Sequence, residues 1–254
     1  MSSEIRRATI VDLARTDGLA NVDALATRFG VSASTIRRDL AVLTAEGRIA
    51  RTYGGAIALG ASGEPTLRQR TGEAHAAKTA IARWAAAQVA DGDTVLLDVG
   101  STVGALATAL RGARGLTVIT ASLTVVEELT DVEGVTVECL GGRLRPVSQG
   151  FLGPLTEAAL ERVSADAVFL GTDGVSPDGE VCEADLQQVR LKELMARRAA
   201  HVHVLAHGAK VGARPFHAWV QLPLPWTLVT DATAPTEHVE ALRHRGVEVV
   251  VVDA

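Results

Sequence analysis

Two spacings of apolar residues divide the chain. In residues 4–15, Ile5, Ala8, Leu13 and Ala14 stand among charges and Gly18 follows, which predicts a helix with a stop. "NVDALATRFG", residues 21–30, predicts a second. Asn21 suits its N-cap, Leu25 and Phe29 are spaced i, i+4, and Gly30 suits its end. Ser32 is placed to cap a third helix running to about Glu46. At about 100° per residue, Ile36, Leu40 and Leu43 share one face of it. Ser34, Arg38 and Ala41 fall opposite, with Thr35 and Arg37 on the flanks. "RIARTYGGAIAL", residues 48–59, alternates instead. Gly54-Gly55 suits a two-residue hairpin turn, since glycine tolerates positive φ at both positions. Three short helices and a hairpin predict a winged helix-turn-helix over residues 1–57.

Residues 58–73 lack periodicity, hold Gly, Ser and Pro, and read as a linker. From residue 74 the pattern is α/β. "TVLLDVG", "LTVITAS", "VTVECLG", "DAVFLGTDG", "HVHVLAHG", "WTLVTD" and "VEVVVVDA" are strand candidates. Helical stretches are expected at 73–90, 103–111, 122–130, 155–163, 184–200 and 235–245. Near-continuous apolar strands separated by helices predict a mostly parallel sheet covered on both faces, a larger domain over 74–254.

Charge sharpens this division. Residues 1–70 carry 10 Lys and Arg against 7 Asp and Glu, whereas the whole chain has net charge -5. A mildly basic head on an acidic body fits two modules with different partners. No apolar run reaches the ~18–20 residues that span a membrane. The start of the chain has no signal-peptide core, so a cytoplasmic protein is expected. Cys139 and Cys182 have no C-x-x-C spacing, fit a reducing compartment, and are expected as small buried hydrophobes.

The third helix carries the first candidate chemistry. A recognition helix enters the major groove by its N-terminal residues, and arginine reads guanine bidentately. Arg37 and Arg38 alone fit a solvated face better; the helical layout, the hairpin and the basic head together favour DNA. "SASTIRRDLAVL" followed by "EGRIARTYGGA" resembles the helix-turn-helix and wing of the DeoR family of bacterial transcriptional regulators, over about residues 4–57. The resemblance places Ser32, Ser34, Thr35, Arg37 and Arg38 on the recognition element; Arg51, on the expected hairpin, is placed to reach the flanking backbone or minor groove. Asp39 lies toward the flank, where an internal salt bridge is expected.

In the body, the junctions after strands matter. Parallel sheets bind ligands outside the carboxyl ends of their strands, where backbone N–H groups and helix N-termini attract anions. "LLDVGSTVG" presents Asp98, Gly100, Ser101 and Thr102 there. "VITASL" presents Thr120 and Ser122, "CLGGRL" Gly142, "LGTDGV" Asp173, and "LAHGAKVG" Lys210. Residues 74–232 resemble the DeoR-family sensor domain, itself similar in fold to ribose-5-phosphate isomerase and glucosamine-6-phosphate deaminase. The resemblance implies a phosphorylated sugar or related metabolite as effector. Gly100-Ser101-Thr102 and Lys210 would clamp phosphate, and Asp98 and Asp173 would meet sugar hydroxyls. The chain departs from the family pattern at Ala121, where Asn is usual, and at His207 and Ala209, where Asp and Ser are usual.

His201, His203 and His207 share strand parity, but His203 and His207 would lie about 13 Å apart. That is too far for one metal ion bound at ~2.1 Å, so no metal or cofactor is expected. The function expected is an operator-binding repressor of carbohydrate use, acting as a homodimer or homotetramer. Helices 73–90 and 184–200 are candidate interface elements. The rivals are a sugar-phosphate isomerase or deaminase with an accessory head, and a DNA-binding protein blind to effectors.

Overall fold

The computed structural model describes residues 3–16, 20–45, 49–52, 55–58 and 64–254. They fall into two compact units, Met1–Gly72 and Glu73–Ala254. The first contains α1 (Ser3–Thr16), β1 (Ala20–Asn21), α2 (Val22–Phe29), α3 (Ala33–Ala45), β2 (Ile49–Thr52), β3 (Gly55–Ala58) and α4 (Leu67–Thr71).

Local chemistry sets these boundaries. The Asn21 side chain accepts from the N–H groups of Asp23 and Ala24, starting α2. Gly30 ends it in the left-handed conformation, at φ 62°, with its N–H on Ala26 and Thr27 carbonyls. The Ser32 hydroxyl accepts from Thr35 N–H and opens α3. Ile10, Val11, Leu25, Ile36, Leu40, Leu43 and Ile49 form the core, so the apolar face expected of α3 is the buried one. β3 pairs antiparallel with both β2 and β1. The two-residue β1 was not foreseen. Gly54, half of the expected turn, lies outside the described residues. The expected linker is not wholly irregular: α4 forms within it because Thr66 and Gln69 make a reciprocal capping box.

The second unit contains α5 (His75–Ala86), β4 (Thr94–Leu97), α6 (Ser101–Ala109), β5 (Leu116–Thr120), α7 (Leu123–Leu129), β6 (Val135–Cys139), β7 (Arg143–Arg145), β8 (Gly150–Leu152), α8 (Pro154–Leu160), β9 (Ala165–Leu170), β10 (Gly174–Val175), β11 (Glu180–Glu183), α9 (Leu186–Arg197), β12 (Ala199–Leu205), β13 (Ala218–Gln221), β14 (Thr227–Asp231), α10 (Thr236–His244) and β15 (Glu248–Val252). The seven strand candidates form one sheet, ordered β15-β14-β12-β9-β4-β5-β6, and every pairing in it is parallel.

Burial on both faces explains the unbroken apolar runs. Val95 and Leu97 of β4 pack with α5, α6 and α7 through Ile81, Leu106 and Val125. Leu96 faces the other way, into a cluster with Leu160, Met195 and Leu242 of α8, α9 and α10. Two smaller antiparallel sheets, β7-β8 and β10-β11-β13, were not foreseen. Cys182 is buried as expected, but Cys139 is exposed, because β6 is the sheet's edge. No helix among the described residues is long and apolar enough to cross a membrane.

Candidate functional site

In the first unit, Ser32, Ser34, Arg37 and Arg38 are exposed and Thr35 is half-buried. The Ser32 hydroxyl lies 2.8 Å from that of Ser34 and 3.0 Å from that of Thr35. The three hydroxyls thus cluster at the start of α3, with the two arginines one turn further on. Behind them, Asp39 is buried and accepts from Arg6 Nε at 2.6 Å, with Arg7 Nε 3.8 Å away. The internal salt bridge expected for Asp39 is present, and it ties α3 to α1. Arg51 sits on β2 opposite Ala56, and its side chain lies outside the described residues.

In the second unit, chain order and strand order reverse at one place. β5 and β6 continue to one side of β4, whereas β9, β12, β14 and β15 continue to the other. The switch point is therefore the seam between β4 and β9, where open α/β sheets bind ligands. Asp98 lies on that seam. Its N–H donates to Phe169 O, and its carboxylate accepts from Gly171 N–H at 3.1 Å. A side chain on Gly171 would meet Val99 O at 2.6 Å, so the two strand ends approach this closely only with glycine there. Gly100, at φ 125°, turns the chain into α6 without any side-chain cap. Ser101 and Thr102 occupy the first turn of α6, whose N–H groups are the unsatisfied positive end of the helix.

Asp98 also belongs to a buried charged cluster. Lys192 Nζ, on α9, donates to Asp98 and lies 2.9 Å from Glu183 Oε1. Asp98, Lys192 and Glu183 are each at most 3% exposed. Burial pushes the Glu183 carboxyl up to about 8; Lys192 pulls it back, while Asp173 and Asp98 add to the rise. Burial alone would lower Lys192, but Asp98 and then Glu183 outweigh it and keep the ammonium charged. One ammonium thus faces two carboxyls, and Glu183 is the one poised to hold a proton near neutrality.

Asp173 is buried with its N–H on Cys182 O. Its Oδ1 lies 4.0 Å from Lys210 Nζ, which donates to Thr172 O. Lys210 follows β12 on a single 3₁₀ turn, Gly208–Lys210. His207 precedes it, held down to about 4 by burial, then by Lys210 and Lys78, against Asp231. Burial would raise Asp231, but bonds from the Thr233 hydroxyl and the N–H groups of Gly208 and Thr233 hold it below its ordinary value. His207 and Asp231 border a cavity of about 320 Å³ with Ala74 and His75 at the start of α5.

Three sequence candidates serve the scaffold. Thr120 donates its hydroxyl to Leu97 O and accepts from Ser122 N–H, and the Ser122 hydroxyl accepts from Val125 N–H to cap α7. Both hydroxyls therefore hold the β5–α7 junction. Gly142 leaves room for neighbours: a side chain there would meet Thr156 Oγ1 at 2.2 Å. Sequence reading missed Lys192 and the buried Lys78. A signal existed for the first, since Gln188, Lys192 and Met195 fall on one helical stripe with a core residue. Among the described residues no group of three or more His, Cys, Asp and Glu is placed to hold a metal ion.

Residues 6–60 match the model of the DeoR-like helix-turn-helix domain, and residues 73–232 that of the DeoR C-terminal sensor domain. The chain belongs to the DeoR family. It is similar to the transcriptional regulator GlpR of Haloferax volcanii, 32% identical over 246 residues and 96% of each chain. The repressor GlcR of Bacillus subtilis is 31% identical over 260 residues, covering 100% of this chain and 98% of its own. The glycerol-3-phosphate regulon repressor of Escherichia coli K12 is 29% identical over 242 residues, 95% of this chain and 96% of its own. Among solved structures, ribose 5-phosphate isomerase A of Methanocaldococcus jannaschii aligns with 52% of each chain at 17% identity and a TM-score of 0.39; the family assignment does not depend on it. This DeoR-family chain is a DNA-binding transcriptional regulator, with its reading element in the first unit and its sensor in the second.

Proposed function

We propose that the chain represses a carbohydrate-use operon and leaves its operator when a phosphorylated sugar or related metabolite binds at the strand ends of the second unit. The observation that carries this reading is the seam between β4 and β9. It brings the uncapped start of α6, suited to an anion, beside the buried Asp98–Lys192–Glu183 cluster, suited to alcohol groups. Lys210 supplies a further cation beside Asp173. The family relation to repressors, one of them of a glycerol-3-phosphate regulon, supports the same class of signal.

Sensing rather than catalysis suits this site. Sugar-phosphate isomerisation needs an ionised carboxylate as base. Asp98 is held by Lys192 and Gly171, and Glu183 is pushed toward its protonated form. Ser32, Ser34, Thr35, Arg37 and Arg38 would contact DNA, aided by Arg51. A homodimer or homotetramer would set two such heads at half-sites whole helical turns apart. The effector must prefer one state of the protein, with a coupling of about 1–3 kcal/mol.

The test is a panel of sugar phosphates screened by thermal shift, operator release and turnover. The expected result is one compound that raises the melting temperature and frees the DNA unchanged. Turnover that Asp173→Asn abolishes, or a panel in which no compound does either, overturns the reading.

A further inference from the structure

Folded proteins rarely bury a polar atom without a hydrogen-bond partner, because each costs about 1–3 kcal/mol. Two such atoms border the β4–β9 seam. Ser148 Oγ, in the turn between β7 and β8, is fully buried and has no partner. The turn packs on the end of β4: a side chain on Gly150 would fall 2.5 Å from Val99 Cγ1 and 3.5 Å from Ser148 Oγ. Val99 stands between Asp98 and Gly100. The second atom belongs to Gln188, on the first turn of α9 and 3% exposed. One end of its amide lies 3.4 Å from Glu183 Oε2, and the other end has no partner. Turning the amide over exchanges which end is satisfied but still leaves one without a partner. Glu183 leads through Lys192 to Asp98. Gln188 thus reaches the charged cluster through Glu183, and Ser148 lies in a turn packed on Val99, the neighbour of Asp98 in the chain.

Of the other buried atoms without a partner among the described residues, that of His203 belongs to a ring packed on Phe169 and Trp84, on the α5 face of the sheet, that of Trp226 precedes the amino end of β14, and that of Thr230 is three strands from β4.

We propose that Ser148 and Gln188 are the contacts for hydroxyl groups of the effector, so that the site takes a polyhydroxylated phosphate and not the anion alone. This rests on the reading of the strand ends as the effector site. The chemistry separates two tasks. A phosphate dianion only accepts hydrogen bonds, which suits Lys210 and the start of α6. An alcohol donates and accepts at once, so it satisfies a serine hydroxyl and either end of a glutamine amide. Binding removes the desolvation penalty that both groups carry in the unliganded protein, which makes them selective for ligands with hydroxyls in reach.

The test uses the full-length protein and calorimetric affinities for inorganic phosphate and for a panel of pentose and hexose phosphates. The expected wild type binds at least one sugar phosphate about tenfold or more tighter than inorganic phosphate. Ser148→Ala and Gln188→Leu each reduce that ratio about fivefold or more, the loss expected for one hydrogen bond. A merely structural hydroxyl would be missed by the fold, whereas an orphaned one is not. Ser148→Ala should therefore keep or raise the melting temperature of the unliganded protein. A full ratio in both variants overturns the inference, as does a lowered melting temperature in Ser148→Ala. Phosphate bound as tightly as every sugar phosphate overturns it too and leaves the anion site standing. No binding by phosphate or by any sugar phosphate overturns both.

Discussion

Replacing Glu183 by glutamine keeps its shape and removes its titration. In the folded protein the Glu183 carboxyl is raised from 4.5 to about 8, chiefly by burial. The folded state therefore holds a proton that the unfolded chain releases above about pH 4.5. Stability from this group is complete below that pH, falls as pH rises, and levels off near pH 8. At about 1.4 kcal/mol per pH unit, the loss across that window is about 5 kcal/mol. Glu183→Gln loses nothing there, so its stability relative to wild type should climb by that amount between pH 4.5 and 8. For a unit of this size the change corresponds to roughly 10–20 °C in melting temperature. Urea unfolding followed by tryptophan fluorescence is the assay. All three tryptophans, Trp84, Trp219 and Trp226, belong to the second unit, so the signal reports that unit alone. Parallel pH profiles for wild type and variant would refute the protonated Glu183 and the charge balance built on it.

Three further outcomes are expected. Arg38→Ala should cost about 1–3 kcal/mol of operator binding and relax preference at one base pair, read by binding to a set of single-base operator variants. Asp39→Ala strands the buried Arg6 and should cost the first unit about 3–5 kcal/mol, abolishing operator binding while the tryptophan transition stays in place. His207, held near 4 in the fold, stays neutral where the unfolded chain takes up a proton below about 6.5. Stability should thus fall as pH drops through that window, by about 1–2 kcal/mol after screening by solvent at this half-buried side chain. His207→Gln should remove that loss in the same fluorescence assay.

The large sheet was legible because each of its strands is buried on both faces and so reads as an apolar run, as in "TVLLDVG". The caps were legible because Asn21, Gly30 and Ser32 have specific backbone partners. The hairpin β7-β8 was not, since "RLR" and "GFL" are too short for any period to show. Strand-end logic placed Asp98, Gly100 and Asp173 after the carboxyl ends of β4 and β9, where they lie. It gave no hint that the Thr120 hydroxyl ties the end of β5 to Leu97 of β4, or that Ser122 spends its own on capping α7. Lys192 was overlooked because a lysine within a helix ordinarily reads as solvated, even on a stripe with Met195. Its charge is tolerable in the interior only beside Asp98 and Glu183, partners that lie far away in sequence. Ser148 shows nothing in the sequence, for its interest lies in the partner it lacks.

The distance along the chain between Asp98 and Lys192, 94 residues, has a consequence during synthesis. At about 5–20 residues per second, a ribosome makes the carboxylate some 5–20 s before its cation. Through that interval β4 and β5 can pair, but the acid at the end of β4 has no counter-ion to be buried with. The nascent second unit should therefore stay open to solvent at this seam, and to chaperones, until α9 has emerged.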